Sequence, residues 1–178
     1  MIWLYLGALF CLIIAGEAVV ATRSWSDGDT GEWRVVIALR GLSDEYTIVR
    51  NWVIPGAEQG DIDLLVLGPH GVLVLEVKNY RAKYECDGDD WVNVKENGYR
   101  KRMKSPSRQL AKNSRAVQSF LVKSGWLGTV HSALVIPPRA DVRIAGASVT
   151  ILDWKALPQH IRALPSHGTP VSVSLFRG

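Results

Sequence analysis

Three side chains in one short stretch carry the chemistry this chain can offer. They are Asp63, Glu76 and Lys78, within residues 60–80, GDIDLLVLGPHGVLVLEVKNY. The stretch reads as two apolar strands, about 62–67 and 72–78, joined by the turn-formers Gly68-Pro69-His70-Gly71. A four-residue loop sets Leu67 opposite Val72, and counting back sets Asp63 opposite Glu76 and Asp61 opposite Lys78. Side chains two apart on a strand share a face, so all four fall on one side. Carboxylates directly opposite in an antiparallel pair are only about 4.5–5.5 Å apart at Cβ, and like charges there are destabilising unless compensated. A divalent cation compensates them, which makes Asp63 and Glu76 a candidate metal site with the Lys78 ammonium beside it. Asp61 is then either a further ligand or the ion-pair partner of Lys78. The competing reading is a solvent-facing charge cluster at strand ends. The apolar runs at 64–67 and 72–75 count against it, because unpaired charge in interior strands is costly.

The elements that must position these residues follow from pattern. Asp29 and Glu32 have capping-box spacing, and Trp33, Val36, Ile37 and Leu39 continue an apolar stripe, which predicts a helix ending near Gly41. Glu32 is therefore either a cap or a member of the site. Residues 46–54 are rich in β-branched and aromatic side chains and stop at Pro55, as a strand does. A smaller hairpin is predicted from 83–86 and 91–94 around Asp87-Gly88-Asp89-Asp90. After the basic run Tyr99-Arg100-Lys101-Arg102, Ser105-Pro106 supply an N-cap and an N1 proline for a helix to about Lys123. That helix carries an apolar stripe (Leu110, Val117, Leu121) and a basic one (Arg108, Lys112, Arg115), the latter either a solvated face or a holder of phosphates. Strands at 130–136 and 147–152, a helix at 154–164 and an unplaced apolar alternation at 171–176 complete the chain. The order predicts an α/β fold with a central mixed sheet flanked by helices, the second hairpin strand central because it is apolar on both faces.

With 178 residues, one domain plus an appendage is expected. A net charge of +4 favours polyanionic partners without singling one out. Two distant cysteines, Cys11 and Cys86, exclude a disulfide framework, and the four histidines at 70, 131, 160 and 167 lack zinc-ligand spacing. Residues 1–21 are apolar apart from Glu17, about the length that spans a bilayer as a helix. They are read as a transmembrane anchor at 1–22, followed by a linker at 23–30, a domain at 31–165 and a tail at 166–178. Arginines appear only after the segment, which places the domain in the cytoplasm; export after signal-peptide cleavage is the alternative.

The ordered set Gly28, Gly31-Glu32, Val35, Leu39, Ile62-Asp63, Gly71, Glu76-Val77-Lys78-Asn79, Pro106 and Gln109 resembles the nuclease-related domain (NERD) family, itself similar to the PD-(D/E)XK restriction-endonuclease-like superfamily. The resemblance runs from about Gly28 to Leu121. It departs at Arg81-Ala82, where family members often have glycine. It implies a restriction-endonuclease-like core and a Mg²⁺-dependent phosphodiesterase acting on DNA, with Mn²⁺ as a substitute and RNA as another substrate. In that role Asp63 and Glu76 hold the ion, Lys78 positions or activates the attacking water, Glu32 supports the site from the first helix, and Gln109 contacts site or substrate. Phosphodiester cleavage asks for the same parts: a hard cation on oxygen ligands, a water of lowered pKa and positive charge around the transition state. The alternative function is a non-catalytic nucleic-acid-binding or scaffold module on the same fold, with Arg108, Lys112 and Arg115 as its contacts. Oligomeric state is not readable from the residues.

Overall fold

A computed structural model describes residues 27–56, 60–137, 140–167 and 170–176. The anchor and the cleavage site read at 1–22 lie outside the described residues. Among those described, no helix is long and apolar enough to cross a membrane.

The chain builds α1 (Asp27–Leu39), β1 (Thr47–Trp52), β2 (Ile62–Gly68), β3 (Gly71–Val77), β4 (Lys83–Gly88), β5 (Asp90–Val94), β6 (Arg100–Arg102), α2 (Pro106–Lys123), β7 (Val130–Ile136), β8 (Asp141–Ala147), β9 (Thr150–Asp153), α3 (Leu157–Ala163) and a 3₁₀ turn, Val173–Phe176. Two mixed sheets result. The larger has the order β1-β2-β3-β7-β9 and the smaller β6-β5-β4-β8. In the larger, β3 lies in the centre, antiparallel to β2 and parallel to β7. The hairpin register is the expected one, Leu67 against Val72 and Leu64 against Leu75.

Period-two alternation sorts the hairpin between two cores. Leu64, Val66, Leu73 and Leu75 pack with Val35 and Leu39 of α1 and with Leu157 and Ile161 of α3. Leu65, Leu67, Val72 and Val74 pack on the other side, with Leu110, Val117 and Leu121 of α2 and with Tyr84, Cys86 and Trp91 of the small sheet. Asp63 and Glu76 share the parity of this second set, so they face α2. The tight turn depends on Gly71, whose φ is 94° and where a Cβ would stand 2.6 Å from the Thr129 carbonyl oxygen.

Helix α2 begins and ends by recognisable local chemistry. The Ser105 hydroxyl accepts from the Arg108 N–H at 3.2 Å with Pro106 at the first helical position. At the other end the N–H groups of Gly125 (φ 83°) and Trp126 donate to Val122 and Leu121, a Schellman closure. The Trp91 Nε1–H donates to the Ser107 hydroxyl at 2.9 Å in the buried interior, tying the small sheet to α2.

Four expectations change. Helix α1 starts at Asp27, inside the stretch read as linker, so Asp29 lies within the helix and not ahead of it. A second sheet exists because β6, within the basic run, and β8, where no element is predicted, pair with β5 and β4. The loop of the small hairpin is shorter than read, with Asp87 and Asp90 already paired. The tail is part of the core, through buried Val171 and Phe176, the latter 4.9 Å from the Trp52 ring.

The histidines, unrelated in spacing, converge at the hairpin turn. His70 is buried with neither ring nitrogen hydrogen-bonded, stacked 5.9 Å from Tyr46 and tilted against His131 at 6.0 Å. Burial, then the charge His131 would carry, and to a lesser extent that of His160, hold its pKa below 6.5 against the pull of the Val66 backbone; burial likewise lowers His131. A histidine whose folded pKa is depressed takes a proton more readily in the unfolded chain. Stability is therefore full above pH 6.5 and falls as the pH drops through the folded-state value. In thermal melts from pH 7.5 to 5, the Tm of His70→Gln relative to wild type is expected to rise by a few degrees as the pH falls, whatever slope the raised carboxylates give both proteins.

Candidate active site

The site lies where β3 ends, on the α2 side of the larger sheet. Its two acids come from adjacent strands, and the next rung beyond Leu64–Leu75 would pair Asp63 with Glu76. There the backbone ladder gives way to a side chain: the Val77 N–H donates to Asp63 Oδ2 at 2.7 Å. Glu76 is 1% exposed. Its Oε1 takes the Lys78 ammonium as ion-pair partner, and its Oε2 accepts from Asn113 Nδ2 of α2 at 3.2 Å. Lys78 itself is 27% exposed, so its ammonium meets both the buried acid and solvent.

Burial pushes Glu76 up to about 7; the nearby Asp63 charge adds to the rise, and Lys78 and the Asn113 hydrogen bond oppose it. Burial also raises Asp63, against the Val77 N–H and the Lys78 charge, with Asp61 adding a little. Tyr80, stacked on Tyr84 at 4.0 Å, has its phenol raised by burial, with Tyr84 and then Glu76 contributing. Two acids that disfavour each other's ionisation at a strand end are what a site awaiting positive charge would contain.

A cleft of about 600 Å³ opens beside these residues, lined among others by Asp61, Asp63, Lys104, Gln109, Lys112 and Asn113. Its walls come from α2, the segment before β2 and the near edge of the small sheet. Arg102 and Arg108 also line it, each ion-paired with Asp90 at 3.4 Å.

Of the residues the sequence singled out, Asp63, Glu76 and Lys78 meet as expected. Gln109, Arg108 and Lys112 line the cleft, whereas Arg115 is exposed and does not. Lys78 takes Glu76, two residues back, as its partner and not Asp61 across the hairpin. Glu32 is ion-paired with Arg50 of β1 at 3.5 Å. Its helix comes close to the site end of β3 all the same, since a Cβ on Gly31 would sit 2.9 Å from the Asn79 Cβ. Asn113 was missed. Its spacing was the available signal, three residues after Leu110 and four before Val117 on the buried stripe of α2.

The donor set suits a hard cation of low protein-ligand count. Asp63 and Glu76 offer carboxylate oxygens only, and Mg²⁺ in such sites keeps several waters. Among the described residues no group of three or more His, Cys, Asp or Glu is placed to hold a metal, so Glu32 does not complete a triad.

An α/β domain with an acid, a second acid and a lysine converging at the end of a central strand has the build of a PD-(D/E)XK-like nuclease domain. The model of the nuclease-related domain family matches residues 27–137, more than half of the chain, and the chain belongs to that family. No curated protein matches the chain, and no solved structure does.

Proposed function

We propose that the protein is a metal-dependent nuclease that hydrolyses phosphodiester bonds in DNA, held at a membrane by residues 1–22. The observation that carries this reading is the buried Glu76 carboxylate, bridged to Lys78 and facing Asp63 beside a cleft whose lining includes Arg102, Lys104, Arg108 and Lys112 alongside four aspartates. Asp63 and Glu76 would hold Mg²⁺, which supplies Lewis acidity and lowers the pKa of bound water. The chain's own groups supply the rest. Lys78 presents positive charge where a phosphate oxygen becomes more negative. Asn113 fixes one oxygen of Glu76 and Lys78 the other, so the carboxylate is oriented before substrate arrives. The Val77 N–H does the same for Asp63. Lys104, Gln109 and Lys112 would position the phosphate backbone along the cleft.

Full-length protein in detergent is expected to nick and linearise plasmid DNA with Mg²⁺ or Mn²⁺, and to stop on EDTA addition. Persistent absence of cleavage of DNA or RNA with either metal would overturn the reading. One alternative is a nucleic-acid-binding module without catalysis, since among the described residues no third acidic ligand joins Asp63 and Glu76. Such a module would bind DNA equally well with and without metal, and with a steep salt dependence.

A further inference from the structure

We infer that the β4–β5 turn is a built-in phosphate mimic that occupies the cleft's arginines and sets a threshold for substrate entry. The inference rests on the nucleic-acid reading above. Three ion pairs carry it. Asp90 faces Arg102 and Arg108, each at 3.4 Å, and Asp89 faces Arg108 Nε at 3.7 Å. All four residues line the same cleft as Asp63.

The turn is held in that direction from behind. The Ser148 hydroxyl, between β8 and β9, hydrogen-bonds Asp89. Gly88 has a φ of 57°, and the β4–β8 register shifts between Cys86 and Asp87, which re-aims the end of the strand. Asp87 is exposed but does not line the cleft.

A carboxylate beside a guanidinium stands where a phosphate would otherwise bind. The arginine that a polyanion needs is therefore occupied in the free protein. Exposed pairs of this kind are weak, so the turn yields without unfolding. It yields best to a polymer that brings several phosphates and releases their counterions. The acids thus favour long nucleic acid over mononucleotides or short oligomers.

The test is fluorescence anisotropy of a labelled DNA duplex with the full-length chain in detergent and EDTA, across a salt series. The comparison is wild type with Asp89→Asn/Asp90→Asn, Asp90→Asn and Asp87→Asn. The double variant is expected to bind about fivefold tighter or better, with a log K against log salt slope steeper by ~1 for each arginine freed. Asp90→Asn should show most of the gain and Asp87→Asn, which adds the same unit of charge, little of it. Equal tightening by Asp87→Asn would reduce the effect to net charge and overturn the inference. So would unchanged or weaker binding by the double variant while wild type binds, with the nucleic-acid reading left standing. Binding by none of them at low salt would remove both.

Discussion

Glu76→Ala and Lys78→Ala are each expected to lower plasmid cleavage by about a hundredfold to a thousandfold, with DNA binding in EDTA changed little. The size follows from what each group does. Removing one preorganised charge or donor at a developing transition state typically costs about 10²–10³ in rate. Loss of Glu76 also removes one of two carboxylates and leaves Lys78 without the partner that orients it. Effects of groups that act as a unit do not add, so the double variant should be scarcely slower than either single one. Asp63→Asn should be similarly impaired, because its amide cannot supply the charge that the carboxylate does. Activity that survives Glu76→Ala and Lys78→Ala would place the reaction elsewhere or in a contaminant. Wild-type inactivity with intact metal-indifferent DNA binding would select the non-catalytic module.

The second large effect is on stability. A glutamate whose folded pKa, about 7, lies above its unfolded value of 4.5 stabilises fully below pH 4.5. That contribution is lost as the pH rises through 7. At pH 8 without divalent cations the protein carries the full cost of a buried carboxylate, at most about 3.5 kcal/mol at ~1.4 kcal/mol per tenfold shift. Glu76→Gln keeps the shape and removes the charge. It should raise Tm at pH 8 by several degrees and by little or nothing at pH 5. Added Mg²⁺ should then stabilise wild type at pH 8 and leave Glu76→Gln nearly unchanged, as expected if the ion binds the folded carboxylate. A Glu76→Gln variant less stable than wild type at pH 8 would show that the Lys78 ion pair outweighs burial.

The core of the site could be read from the chain because it depends on short-range rules. The four-residue turn fixed the hairpin register, and a two-residue period then fixed which face Asp63 and Glu76 share. The start of α2 was equally local, set by Ser105 and Pro106. What stayed hidden depends on packing between distant segments. β8 alternates poorly because it is an exposed edge strand, with only Val142 and Gly146 half-buried, so no apolar rhythm marks it. Asn113 gains its meaning only when α2 is laid over β3. Arg108 looked like a free cation until the small sheet brought Asp89 and Asp90 to it. Glu32 carried a family expectation, yet it forms an ion pair with Arg50, a residue that spacing alone could not pair with it.

The two acids belong to different halves of the larger sheet, Asp63 to the antiparallel half and Glu76 to the strand that opens the parallel half. Beyond the Leu64–Leu75 rung, the Val77 N–H to Asp63 bond takes over from the ladder in joining the halves at that end. Breathing of the sheet there would widen the gap between the carboxylates and break this bond in the same motion. The amide proton of Val77 is thus a natural gauge of assembly, its rate of exchange with deuterated solvent reporting how much of the time the acids stand close enough to act together.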